Sequence, residues 1–312
     1  MKTLLVIGSS GFFGVSLFDY FQNDKNLNKW KLKKIIFISR TIDLKKNEVT
    51  DNKFSFIRGD IIKLNKLPKC DLIIYAVNTN NKKSNLKAIN NFCKIIKRDF
   101  NKCKIIFTSS GAVYGNPYKY KNNKIKLFNE DALIDFNIIK NLPKNKRNYA
   151  EHKIESENVL KKISSAKIKV SIARCFTFIG PKIIDYKKYF ISDLLKSLIN
   201  KKTINIKSNY RVYRSFMYSD DLCEWLLTIL NKSRKKYDVY NVGSDKKIEL
   251  HELGNKISKI YNLNLQTNKI KSDFTDFYVP NIKKAKKNLG LRTENNIGKV
   301  INKTLINIKI KI

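Results

Sequence analysis

Tyr149-Ala-Glu-His-Lys153 sets a phenol and an ammonium four residues apart, the spacing that puts two side chains on one face of a helix. An ammonium beside a phenol favours the phenolate and lowers the tyrosine pKa from its reference value of about 10. Such a pair can serve as general acid and base near neutral pH. Lysine is frequent enough that the spacing recurs at Tyr120 and Lys124. Tyr120, however, sits among Tyr, Lys and Asn with no apolar period. Tyr149 opens a stretch in which Ala150, Ile154, Val159, Leu160 and Ile163 form one apolar helical stripe. A hydroxyl partner lies upstream, in Thr108-Ser-Ser110-Gly-Ala-Val-Tyr-Gly115. A hydroxyl there can hydrogen-bond a substrate oxygen while Tyr149 exchanges its proton. The same cluster also suits capping or turn formation at a strand end.

Proton exchange by Tyr149 calls for a cofactor site, and the N-terminus has the frame of one. Lys2-Thr-Leu-Leu-Val-Ile7 is a short apolar run. It leads into Gly8-Ser-Ser10-Gly11-Phe12-Phe13-Gly14, with Val15, Leu17, Phe18 and Phe21 following at helical spacing. Strand, glycine turn and helix in that order are the context of a dinucleotide fingerprint. Gly8 permits the tight turn, Gly11 lets backbone N–H groups approach a pyrophosphate at the helix N-terminus, and Gly14 lets helix and strand pack closely. The spacing is G-x-x-G-x-x-G rather than G-x-G-x-x-G. With 11 glycines in the whole chain, three at this spacing behind an N-terminal strand do not read as an ordinary turn. Lys33–Ser39 reads as the second strand. At its end an acidic residue would bind the adenosine ribose hydroxyls of NAD, but Ser39 and Arg40 stand there. A guanidinium suits the 2′-phosphate of NADP, or else stacks near the adenine or points to water. NAD and NADP both stay open.

Lys53–Arg58, ending in Gly59-Asp60-Ile61, and Asp71–Ala76 read as strands three and four. Asn85–Lys97 has helical periodicity, and strand five opens at Lys104. This alternation predicts an α/β, Rossmann-like doubly wound parallel sheet with right-handed crossovers. Such sheets bind ligands beyond the carboxyl ends of their strands, where Gly8–Gly14, Arg40, Asp60, Ala76 and Ser110 all fall. Residues 116–148 are polar, contain Pro117 and Pro143, and read as loop or a short excursion. The Tyr149 helix runs to about Ser164, and Lys167–Arg174 is strand six. After Pro181 the alternation breaks. Helices are expected over Tyr189–Leu198, from Ser219, over Glu249–Tyr261, and at roughly 281–288 and 295–307. Short strands are expected at Thr203–Ile206, Val212–Tyr218 and Tyr237–Gly243. We expect a NAD(P)-binding domain over 1–175 that carries Ser110, Tyr149 and Lys153, and a smaller C-terminal substrate-binding lobe over 176–312 that interleaves with it.

The 312 residues, 42% of them hydrophobic, suffice for a substantial core. No apolar stretch reaches the roughly 18 residues of a transmembrane helix. The start lacks the apolar run and cleavage site of a signal peptide, so a cytosolic protein with no membrane association is expected. Cys70, Cys93, Cys103, Cys175 and Cys223 show no C-x-x-C spacing and mostly lie in apolar segments, which predicts reduced, buried thiols. With two histidines, His152 and His251, no His-based metal site is expected. The net charge of +38 raises a nucleic-acid or anionic-membrane role. Yet Lys, Asn and Ile are abundant from end to end, the lysines form no block, and Arg is scarce. We read the charge as compositional, with no specific nucleic-acid partner. A positive field still favours capture of anionic substrates such as nucleotide sugars.

The ordered set of motifs resembles an extended short-chain dehydrogenase/reductase of the NAD-dependent epimerase/dehydratase family, over nearly the whole length. It comprises Gly8–Gly14, Gly59-Asp60-Ile61, Ser109–Gly115, Tyr149–Lys153, Arg174–Pro181, Arg214-Ser-Phe-Met-Tyr-Ser-Asp-Asp221 and Tyr240-Asn-Val-Gly-Ser244. The resemblance implies that Ser110, Tyr149 and Lys153 are the catalytic triad, that Asp60 meets the adenine, and that Ala76 lies along the cofactor. It implies that Arg214 contacts the nucleotide diphosphate of a substrate. Together these readings give a cofactor set of Gly8, Ser10, Gly11, Phe12, Phe13, Gly14, Arg40, Asp60, Ile61, Ala76, Val77, Tyr149 and Lys153. They give a substrate set of Ser110, Thr177 and Arg214, and no metal. Two departures stand out. Thr177 takes the place of the usual Asn in Arg-x-x-Asn-x-x-Gly-Pro, and Gly111-Ala112 follow Ser110 where 4,6-dehydratases carry Asp-Glu.

The leading expectation is a cytosolic nucleotide-sugar epimerase acting at C4, with surface polysaccharide sugars as the family-level setting. Tyr149 would remove the hydroxyl proton while hydride moves to the nicotinamide, Ser110 would position the oxygen, and Lys153 would lower the Tyr149 pKa. Alternatives are a 4,6-dehydratase, an NADPH-dependent 4-ketosugar reductase supported by Arg40, and a non-catalytic dinucleotide sensor or RNA binder. Homodimerisation through the helix before strand five and the Tyr149 helix is expected by family analogy.

Overall fold

The computed structural model describes residues 1–41, 52–79, 81–115, 127–186, 189–294 and 296–310. Tyr120 and Lys124 lie outside the described residues. The first half alternates strands and helices: β1 (Lys2–Ile7), α1 (Phe12–Phe21), α2 (Asp24–Trp30), β2 (Leu32–Ser39), β3 (Phe54–Arg58), β4 (Leu72–Tyr75), α3 (Lys82–Asp99) and β5 (Cys103–Ser110). Next come α4 (Phe136–Lys140), α5 (Lys144–Ile163) and β6 (Ile168–Cys175). With β11 (Tyr237–Val242), seven of these strands form one parallel sheet in the order β11-β6-β5-β4-β1-β2-β3. The doubly wound fold expected from the alternation is therefore present. The central strands β1 and β4 are apolar on both faces, as a sheet covered on both sides requires. In β1, Leu4 and Val6 join the core beneath α1, while Leu5 and Ile7 join the core beneath α3 and α5.

The remaining elements are β7 (Phe178–Ile179), α6 (Phe190–Ile199), β8 (Ile204–Ile206), β9 (Arg211–Arg214), β10 (Met217–Tyr218), α7 (Ser219–Lys232), β12 (Ile248–Glu249), α8 (Leu250–Tyr261), β13 (Leu265–Thr267), β14 (Thr275–Tyr278), α9 (Lys283–Leu289) and α10 (Ile297–Ile310). Within this half, β11 returns to the main sheet, and α7 buries Trp225, Leu226 and Leu230 in the core that α1 covers. β9 lies between β12 and β14 in a small three-stranded sheet. No helix among the described residues is long and apolar enough to cross a membrane. Four of the five cysteines are buried, Cys70 is partly so, and all are unpaired.

Two readings need correction. The helix carrying Tyr149 starts at Lys144, just behind Pro143, so Tyr149 and Lys153 sit inside a formed helix rather than at its first turn. A Pro before a helix suits that start, because it sets φ and has no N–H to leave unpaired. The stretch read as loop or a short excursion contains α4, whose first amides are capped by Asp135. Strands β13 and β14 carry no clear alternation; β14 forms because β9 offers it backbone partners in parallel register.

Candidate active site

The strand order reverses between β1 and β4, and the ends of these strands open a cavity of about 610 Å³. Gly8 closes β1 at φ +90°, and a Cβ there would lie 2.7 Å from the Ala76 carbonyl carbon at the end of β4. No other residue type fits that pinch without strain. At Gly14 a Cβ would stand 2.3 Å from the Ser9 backbone, so the glycine lets α1 pack on its own turn. Ser10, Gly11, Phe12 and Phe13 line the cavity at one end, with Arg40, Asp60, Ile61, Ala76 and Val77 beside them. Arg40 is exposed, and the Asp60 carboxylate accepts from the Ile62 amide at 3.0 Å. Ser110, Tyr149, Lys153 and Thr177 line the far end.

The catalytic candidates come from two adjacent elements. Ser110 ends β5, opens the 3-10 turn Gly111–Tyr114, and accepts from the Ala112 amide at 3.1 Å. Its hydroxyl thus does the capping its sequence suggested and still faces Tyr149. Lys153, one helical turn beyond Tyr149, is 2% exposed. Its Nζ donates to the Thr108 carbonyl at 2.9 Å and lies 4.8 Å from the Phe107 ring centroid and 5.7 Å from that of Tyr149. Burial lowers its pKa to about 8. The Tyr149 pKa, expected to be lowered beside Lys153, is instead raised. Burial dominates and pushes the phenol up to about 12, against the pull of the Ser110 hydrogen bond. Among the described residues Lys153 also has one hydrogen-bond acceptor for its three donors, so it is equipped to bind a further hydroxyl.

A buried network fixes these side chains to one another. Two turns beyond Tyr149, Glu157 pairs with Arg174 of β6 (2.9 and 3.2 Å), with both side chains under a tenth exposed. Ser109, the neighbour of Ser110, donates to the same carboxylate. Arg174 also donates to the Tyr114 hydroxyl at 3.1 Å and the Glu130 carbonyl at 3.2 Å. The network locks α5 against β5 and β6, which sets Tyr149 and Lys153 beside Ser110. Neither Glu157 nor its role was read from the sequence, although a carboxylate eight residues after Tyr149 on the buried stripe was a signal.

The sequence model of the NAD dependent epimerase/dehydratase family matches residues 4–243. The chain belongs to that family. Among its relatives, the bifunctional polymyxin resistance protein ArnA of Wigglesworthia glossinidia brevipalpis is 28% identical over 276 residues, 78% of this chain and 39% of that protein. The chain thus spans well under half of that relative's length. Two solved structures share the fold at 16% identity, each matching 99% of this chain and 97% of the other. They are a dTDP-glucose 4,6-dehydratase from Bacillus anthracis in complex with NAD (TM-score 0.77) and a UDP-N-acetylglucosamine 4-epimerase from Bacillus cereus (TM-score 0.73).

The glycine cradle, the N-terminal amides of α1 and the spare donors of Lys153 all fit the family's dinucleotide. Arg214 does not line the main cavity. Its Nη1 and Nη2 donate to both oxygens of Asp276 on β14 (2.7 and 2.8 Å), and Nη1 also to the Tyr213 carbonyl (2.8 Å). The Thr177 hydroxyl donates to the Ser215 carbonyl, which closes the loop after β6 rather than offering an amide-like group to substrate. Arg214 and Asp276 border a side cavity of about 170 Å³ together with Ala112, Lys146, Tyr149 and Tyr278. Tyr149 therefore faces both cavities. Tyr278, unnoticed in the sequence, brings its hydroxyl to 3.4 Å from Ser110 Oγ.

Proposed function

We propose that this chain is an NAD-dependent nucleotide-sugar 4-epimerase. The observation that carries the choice is the wall beside Ser110. At Gly111 a Cβ would meet Phe176 Cζ at 2.6 Å and the Tyr278 hydroxyl at 2.8 Å, so the position has no room for a carboxylate. Elimination of water needs a base and an acid next to the reacting carbons. Among the residues lining the two cavities, the carboxylates are Asp60, at the adenosine end, and Asp276, tied to Arg214. Proton exchange at one hydroxyl needs neither. Tyr149 as the phenolate takes the C4 hydroxyl proton and as the phenol returns it, and Ser110 hydrogen-bonds the same oxygen. Lys153, charged below about pH 8, offsets the phenolate before it takes the proton. When bound, an oxidised nicotinamide supplies the hydride acceptor and a positive charge.

A second reading, an NADPH-dependent 4-ketosugar reductase, draws on Arg40, which lines the cavity where the end of β2 has no acidic residue. Incubation of the protein and NAD with UDP- and dTDP-hexoses, followed by mass and NMR analysis, tests the proposal. The epimerase yields a product of unchanged mass inverted at C4. A product lighter by one water, or turnover only of 4-ketosugars with NADPH consumed, contradicts it.

A further inference from the structure

The first amide of α1 already has a partner. The Phe12 N–H donates to the Tyr186 phenol oxygen at 2.6 Å. No side chain caps α1 from its own N-terminus, so a phenol 174 residues away does what a local cap ordinarily does. Tyr186 follows the 3-10 turn Pro181–Asp185 and forms part of the main cavity wall. Its ring stands edge-on to Phe12 at 6.3 Å, and its hydroxyl would lie 3.9 Å from a Cβ at Gly11. The phenol therefore sits over the glycine turn, at the end of the cavity where the family's dinucleotide places its pyrophosphate.

An N–H is a single donor with a preferred line of approach. An oxygen at 2.6 Å occupies the position a phosphate oxygen needs. Phenol and phosphate are alternatives at this amide. We propose that Tyr186 is a built-in competitor for the pyrophosphate of the dinucleotide, and so sets how tightly and how long the chain retains its cofactor. A charged phosphate oxygen is the stronger acceptor, so the dinucleotide prevails, but each binding event first breaks the Phe12–Tyr186 bond. The phenol stays neutral through the working range, because burial raises its pKa more than the Phe12 bond lowers it. Its competition is accordingly independent of pH. Retention time also separates an epimerase, which restores its cofactor in each turnover, from a reductase, which must release it.

The inference rests on the dinucleotide reading above and is tested apart from it by titrating NAD into the wild type and Tyr186→Phe in a calorimeter. Amide hydrogen exchange at Phe12 is followed in parallel. Loss of one competing hydrogen bond should tighten NAD binding by about two- to tenfold and slow its dissociation. The Phe12 amide should exchange faster in nucleotide-free Tyr186→Phe than in nucleotide-free wild type, and equally slowly in both once NAD is bound. Unchanged or weaker NAD binding, or unchanged Phe12 protection, overturns the proposal. If neither protein binds NAD or NADP, the dinucleotide reading itself falls and takes the proposal with it.

Discussion

Tyr149→Phe should lower kcat of the sugar reaction by about 10²–10⁴-fold, the range for loss of a positioned general acid/base. The ring keeps its place, packed edge-on to His152 at 5.2 Å, so NAD binding should stay within a few-fold of wild type. Burial pushes the Tyr149 phenol up to about 12, well above any assay pH. The ionisation seen near neutrality should instead be that of Lys153 at about 8. Its pKa is depressed, so it is charged below that pH and neutral above it, and kcat/KM, which reports free-enzyme groups, should fall as pH rises through about 8. Lys153→Met should abolish that limb along with most of the activity. Steady-state kinetics by NMR across pH 6–9.5, with NAD affinities by calorimetry, checks both. Full turnover by Tyr149→Phe would assign the proton to another group.

Glu157→Ala should destabilise the fold by about 3–5 kcal/mol, because it leaves the buried Arg174 guanidinium without its carboxylate. Ser109 loses an acceptor in the same change. The loss is read from the urea midpoint with its slope. Double replacement, Glu157→Ala with Arg174→Met, should recover a large part of it, since no unpaired charge then remains. A surface pair such as Lys53 with Asp24, about half and three-quarters exposed, should give under about 1 kcal/mol in the same assay. Activity should fall further than stability alone explains, since Glu157 anchors the helix that presents Tyr149 and Lys153. If Glu157→Ala costs no more than the surface pair, the network does not hold α5 in place.

Much of this site was legible because its residues lie close together in the chain and obey a period. Tyr149 and Lys153 are one helical turn apart, and of the predicted stripe Ala150, Ile154, Leu160 and Ile163 are buried and Val159 half-buried. The glycine turn behind β1 was legible for the same reason, and the cavity opens there. What distance along the chain conceals was missed. Asp276 reaches Arg214 across 62 residues, through a strand with no clear pattern of its own, and pairs with the residue expected to meet a diphosphate. Tyr278 and Tyr186 reach the site from 168 and 174 residues beyond their partners. Spacing also cannot report burial. It places an ammonium near a phenol, but the depth of the site decides that Lys153 loses basicity and Tyr149 loses acidity.

The central claim is that the cavity at the strand-order reversal binds a nicotinamide dinucleotide against Ser110, Tyr149 and Lys153. Titration of NAD into nucleotide-free protein, repeated with Lys153→Met, tests it most directly. The account predicts one NAD per chain, bound several-fold more weakly when Lys153 can no longer donate. No saturable binding of NAD or NADP by the wild type would contradict it.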